Sequence, residues 1–133
     1  MLLDTSGLFA LHAIRETNHM QARTIFVAAR RMLTHSYVLS EFVALAQARG
    51  LNRKSTMEYI VDIARHPDIR VVWVDQDLHE AACNLLLERL DKSYSLADAV
   101  SFVLMRRNSE TEALTTDKHF VQEGFVRLLD PTG

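Results

Sequence analysis

Five short apolar runs are separated by longer stretches of helical periodicity, and that alternation leaves few folds open. The runs are Met1-Leu2-Leu3, Met32-Leu33-Thr34, Ile69 through Val74, Ala113-Leu114-Thr115 and Phe125-Val126-Arg127-Leu128. Between them, apolar residues recur at i, i+3, i+4 and i+7 or close variants: Ala22, Ile25, Phe26 and Ala29; Val38, Phe42, Leu45 and Ala46; Met57, Ile60, Val61 and Ala64; Leu78, Ala81, Ala82, Leu85 and Leu86. Gly50 suits a helix stop and Pro67 ends the next helix. Ser95 to Arg107 is apolar nearly all round and predicts a buried helix. The order β-α-α-β-α-α-β-α-α-β-(short α)-β predicts an α/β fold: a three-layer α/β/α arrangement around a central, mostly parallel sheet. Trp73, inside a β-branched run, reads as core. In such sheets a site lies beyond the carboxyl ends of the strands.

At 133 residues the chain is expected to be one domain, 1–133, and 48% hydrophobic residues suffice for a core. A single cysteine, Cys83, excludes a disulfide framework or a cysteine-rich zinc site, and reads as a small helix-packing residue. The glycines, at 7, 50, 124 and 133, cannot make a phosphate-binding loop. No apolar run reaches the roughly 18 residues of a membrane helix, and no signal peptide is visible, so the expected location is cytoplasmic.

Four carboxylates are hard to place as structural residues. Asp4 follows the first strand, where it also fits an N-cap. Glu41 occupies the missing i+3 position of the stripe Val38, Phe42, Leu45, Ala46, where it either points with the core residues or snorkels out from the stripe's edge. Asp98 sits on the nearly all-apolar helix and should be paired, protonated or bound to a metal. It also fits a capping box with Ser95, and the two roles are compatible. Asp117 follows the fourth strand, again at a possible cap. In a parallel sheet all four can converge at one end, where their mutual repulsion calls for divalent cations. Oxygen ligands suit Mg²⁺ or Mn²⁺ better than zinc.

The segments Leu3-Asp4-Thr5-Ser6, Leu39-Ser40-Glu41, Ser95-Leu96-Ala97-Asp98-Ala99-Val100-Ser101-Phe102-Val103-Leu104-Met105 and Leu114-Thr115-Thr116-Asp117-Lys118-His119-Phe120, with Gly124-Phe125 after them, resemble the PIN-domain nucleases. Length and motif order resemble stand-alone prokaryotic members, many of them VapC-type toxins of toxin–antitoxin pairs. The resemblance implies a Mg²⁺- or Mn²⁺-dependent ribonuclease with Asp4, Glu41, Asp98 and Asp117 as catalytic and metal-ligating acids, and Ser6 and Thr115 as supporting hydroxyls. It also implies an RNA substrate, a homodimer and a possible cognate antitoxin.

The formal charge is −2, but setting the four acids aside leaves 13 against 15 Lys plus Arg. Arg30-Arg31, Arg49, Arg53-Lys54 and Arg106-Arg107 are candidates to hold phosphates, although each alone reads better as a solvated helix end. The six histidines show no zinc spacing; His119, close to Asp117, reads as an ordinary turn residue, with contact to substrate as the alternative. Two rival readings differ in class. A non-catalytic RNA- or protein-binding module would lack tight, carboxylate-dependent Mn²⁺ binding. A Mg²⁺-dependent phosphotransfer domain would need a paired acid near the first strand, where Asp4 stands alone.

Overall fold

The computed structural model describes residues 1–130. Its elements run β1 (Leu2–Leu3), α1 (Thr5–His12), α2 (His19–Ala28), β2 (Met32–His35), α3 (Ser36–Ala48), α4 (Arg53–Arg65), β3 (Ile69–Val72), α5 (Gln76–Leu87), α6 (Leu96–Arg107), β4 (Glu112–Leu114), α7 (Lys118–Gln122) and β5 (Val126–Arg127). The strands form one sheet in the order β3-β2-β1-β4-β5, and every pairing is parallel.

Strand alternation divides the core between the two faces of this sheet. Leu3, Met32 and Leu114 join Leu8, Phe9, Val38 and Phe42 in one buried cluster. Their neighbours Leu2, Leu33 and Ala113 join Leu78, Ala82, Val100, Phe102, Met105 and Phe120 in the other. The first cluster seats α1 to α4, the second α5 to α7, and the three expected layers result. Among the described residues no helix is long and apolar enough to cross a membrane.

The third strand is shorter than its β-branched run predicts. Val72 pairs with His35, the last residue of β2, so nothing remains for Trp73 to pair with. The Val74 N–H donates instead to Ser36 Oγ at 2.9 Å. Trp73 is 67% exposed, which corrects its reading as core.

Two local features fix the frame around the carboxyl ends of the strands. A Cβ on Gly7 would lie 2.0 Å from the Leu114 carbonyl oxygen, so only glycine lets α1 seat this closely on β4. His35 is fully buried at the start of α3, where its Nδ1 accepts from Val38 N–H at 3.4 Å and its Nε2 contacts Ser101 Oγ of α6 at 2.8 Å. Burial lowers the His35 pKa to about 4, against the raising effect of a backbone hydrogen bond with Ala97. A neutral imidazole, accepting at Nδ1 and donating at Nε2, therefore ties the helix of Glu41 to the helix of Asp98.

Candidate active site

The central strands β1 and β4 are neighbours, and Leu3 pairs with Leu114. The next residues, Asp4 and Thr115, therefore leave the sheet side by side. Asp4 occupies the N-cap position of α1, yet its side chain does not cap the helix. Its Oδ2 accepts from Thr115 Oγ at 2.7 Å and from Ser6 Oγ at 3.5 Å. The Ser6 and Thr115 hydroxyls lie 3.1 Å apart. They also accept the backbone N–H groups of Thr116 and Asp117, each at 3.0 Å. Two hydroxyls thus fix one carboxylate and, in the same step, the chain that carries another.

Asp117 caps the short α7 by accepting His119 N–H at 2.9 Å. Asp98, buried at the third position of α6, makes a full capping box: Ser95 N–H donates to its Oδ2, and its own N–H donates to Ser95 Oγ, both at 3.0 Å. The His119 ring joins the two acids, with Nδ1 at 2.9 Å from Asp98 Oδ2 and 3.4 Å from Asp117 Oδ1. Ligand atoms of Asp98, Asp117 and His119 all lie within 4.8 Å of one another, a spacing that fits a single metal ion. Asp4 and Glu41 do not belong to that compact trio.

All four acids still share one field. Burial raises Asp4 to a pKa of about 7, against the lowering hydrogen bond from Thr115, and the charges of Asp98 and Asp117 add to the rise. Burial is also the main cause of a raised Asp98 pKa; hydrogen bonds with Ser95 and His119 oppose it, and the Asp117 charge supports it. Glu41 is exposed as a residue, which decides for the edge of the stripe over a core-facing position. Its carboxyl is nonetheless partly desolvated and shifted upward, against the lowering effect of Thr5 and with the help of Asp98 and Asp117. Carboxyls pushed up by burial and one another are poised to gain from a cation.

A clamp around the buried Glu123 carboxylate holds the end of α7 in place. Glu123 meets Arg89 Nε at 2.7 Å and Arg106 Nη2 at 2.6 Å, and accepts from the Tyr94 hydroxyl at 3.2 Å. Burial pushes Glu123 up, but hydrogen bonds and charge from Arg106 and Arg89 hold its pKa below the ordinary range. The Tyr94 ring packs edge-on against His119, with centroids 5.2 Å apart.

The sequence matches the PIN domain family over residues 1–125. The chain belongs to the PIN domain family. This PIN domain is 28% identical over 129 residues to the 23S rRNA-specific endonuclease VapC20 of Mycobacterium tuberculosis, in each of two strains, covering 96% of this chain and 97% of the relative. The crystal structure of M. tuberculosis VapC20, described as a sarcin-ricin loop cleaving toxin, superposes with a TM-score of 0.87 at 27% identity, covering 96% of this chain and 98% of that one.

Within the PIN domain, two of the basic pairs offered as phosphate contacts, Arg30-Arg31 and Arg106-Arg107, lie away from the carboxylates. Arg106 and Arg107 end α6, about 12 Å along its axis from Asp98, and bind Glu123 and Asp77. Arg49 pairs with Glu16 and lies over Phe9, and Lys54 pairs with Glu58. Arg30 and Arg31 line a cavity of about 410 Å³ with Met32 and Ile69, at the amino ends of β2 and β3 and so at the opposite edge of the sheet. Closer to the carboxylates, Lys118 follows Asp117 in the chain, and Arg127 Nη1 donates to the Thr116 carbonyl at 3.4 Å. His119 is no ordinary turn residue. The spacing Asp-x-His placed it near Asp117, but its stronger partner, Asp98, is 21 residues away and meets it only through the fold.

Proposed function

We propose that this PIN domain is an endoribonuclease that cuts RNA phosphodiesters with Mg²⁺ or Mn²⁺, and that it is the toxin of a toxin–antitoxin pair. The observation that carries the reading is the convergence of Asp4, Glu41, Asp98 and Asp117 at the carboxyl edge of the sheet, with three of their pKa values raised. The relationship to an rRNA-cleaving toxin over nearly the full length of both chains supports RNA as substrate and an antitoxin as partner.

The donor set fits a hard divalent ion: carboxylate oxygens dominate, and the compact trio has the span of a single coordination sphere. Asp98 and Asp117 would hold the ion directly, with Asp4 and Glu41 completing the acidic lining. Once bound, a divalent ion lowers the pKa of water and offsets charge developing on the phosphoryl oxygens. Ser6 and Thr115 keep Asp4 aimed by donating to it, and their acceptance of the Thr116 and Asp117 N–H groups holds the next strand exit rigid. The Ser95 capping box fixes the Asp98 carboxylate. In-line attack by water forms the new P–O bond as the bond to the 3′ oxygen breaks, leaving a 5′-phosphate and a 3′-hydroxyl. Metal-stripped protein should leave single-stranded RNA intact and cut it when Mg²⁺ or Mn²⁺ is restored. Analysis of the product ends checks the nucleophile, because 2′,3′-cyclic phosphates would contradict attack by water. Undiminished cleavage in chelator would overturn the metal-dependent reading.

A further inference from the structure

We propose that His119 is a nitrogen ligand of the divalent ion, bound through Nδ1 beside Asp98 and Asp117, and that it makes the site favour Mn²⁺ over Mg²⁺. This rests on the metal-dependent reading above and adds to it a ligand and a selectivity.

Three features of the structure carry it. First, Nδ1 faces the acids at 2.9 Å from Asp98 Oδ2 and 3.4 Å from Asp117 Oδ1. Ligands in neighbouring octahedral positions, with bonds of about 2.1 Å, lie about 3 Å apart, so an ion could take these atoms with little rearrangement. Second, the far nitrogen, Nε2, lies 3.2 Å from Ser93 Oγ. With the proton on Nε2 donated to that hydroxyl, Nδ1 presents its lone pair to the acids, which is the arrangement of a metal-bound histidine with an outer hydrogen-bond acceptor. Third, the ring is held in place. Tyr94 packs against it, Asp117 accepts its backbone N–H, and the Ser95 N–H fixes the Asp98 oxygen that it faces. The competing role is a simple donor: Nδ1–H hydrogen-bonded to Asp98, orienting the carboxylate without touching an ion.

The chemistry separates the two roles. Mg²⁺ takes oxygen ligands and keeps its waters, whereas Mn²⁺ accepts imidazole more readily. A nitrogen ligand therefore strengthens Mn²⁺ binding and does little for Mg²⁺. A residue that only orients Asp98 affects both ions alike.

The test is pulsed electron paramagnetic resonance of Mn²⁺ added to the metal-stripped full chain, with calorimetric titration of Mn²⁺ and Mg²⁺. The parent should show ¹⁴N coupling of imidazole strength to the bound Mn²⁺. In His119→Ala and His119→Gln that coupling should vanish while Mn²⁺ still binds; Mn²⁺ affinity should fall about 10-fold or more and Mg²⁺ affinity by less than about 3-fold. His119→Gln retains polar bulk and hydrogen-bonding capacity, and thermal melts confirm that each variant is folded. Carboxylate-dependent Mn²⁺ binding without ¹⁴N coupling in the parent, or equal losses for the two ions, would overturn the ligand role alone. Mn²⁺ binding that is absent, or indifferent to Asp98→Asn, would overturn the metal-dependent reading and this proposal together.

Discussion

Asp4 has the most perturbed environment of the four acids, and pH exposes it. Its pKa rises from an unfolded value of about 3.9 to about 7 in the folded protein. Between those values the native state holds a proton that the unfolded chain has released. Stability without metal therefore falls as pH rises through this window, and the penalty is complete above pH 7. A shift of this size corresponds to about 4 kcal/mol as an upper bound. Asp4→Asn keeps an acceptor for Thr115 and carries no charge. In EDTA it should melt above the parent at pH 8, with the gap closing toward pH 4, and it should be inactive. A constant difference in melting temperature across that range would contradict the desolvated Asp4. Asp98 stands out in the sequence because a charge on a nearly all-apolar helix needs a reason, whereas Asp4 fits an N-cap equally well. Glu41 was located as a site candidate, but periodicity could not distinguish a core-facing position from a rim position beside the acids. His119 was illegible for a different reason: its role depends on a partner brought near by packing.

At the scale of elements, the site depends on how closely α1 rides over β4. Gly7 permits that approach, and the atom that a Cβ would strike is a backbone oxygen that no rotamer change can move. Gly7→Ala should cost about 1–3 kcal/mol by overpacking. It should also reduce cleavage, because separating α1 from β4 pulls Asp4 and Ser6 away from Thr115. Thermal melts and an RNA cleavage assay check both; a variant with parental melting and activity would refute the tight seating. Element types and their order were legible because apolar spacing records which faces must be buried. The close approach at Gly7 and the early end of β3 were not, since each depends on a neighbouring strand: β4 supplies the obstructing carbonyl, and β2 ends one residue before Trp73 would need a partner.

For the whole molecule, the two ends of the sheet carry different arrangements of charge. The four candidate carboxylates gather at the carboxyl edge, while the cavity at the amino edge mixes Arg30, Arg31 and Arg70 with Asp68 and Glu110. Counting charges suggested a basic surface around an acidic site, but could not say that the arginines would fall on the far edge or in ion pairs. If the acids hold a metal ion for cleavage, Asp98 is the residue whose neutralisation shows it best. Asp98 is buried, it faces His119 and Asp117, and its charge is disfavoured by burial. An amide of the same shape can still accept the Ser95 N–H and complete the capping box. A purely structural Asp98, paired in the core, would leave its partner stranded when neutralised, at a loss of roughly 3–5 kcal/mol. The decisive measurement compares parent and Asp98→Asn by thermal melting in EDTA and in Mn²⁺, beside RNA cleavage by the same samples. The variant should be at least as stable as the parent in EDTA, be stabilised less by Mn²⁺, and lack cleavage activity. A variant that melts well below the parent in EDTA, or that cuts RNA at the parental rate, would contradict the metal-holding role.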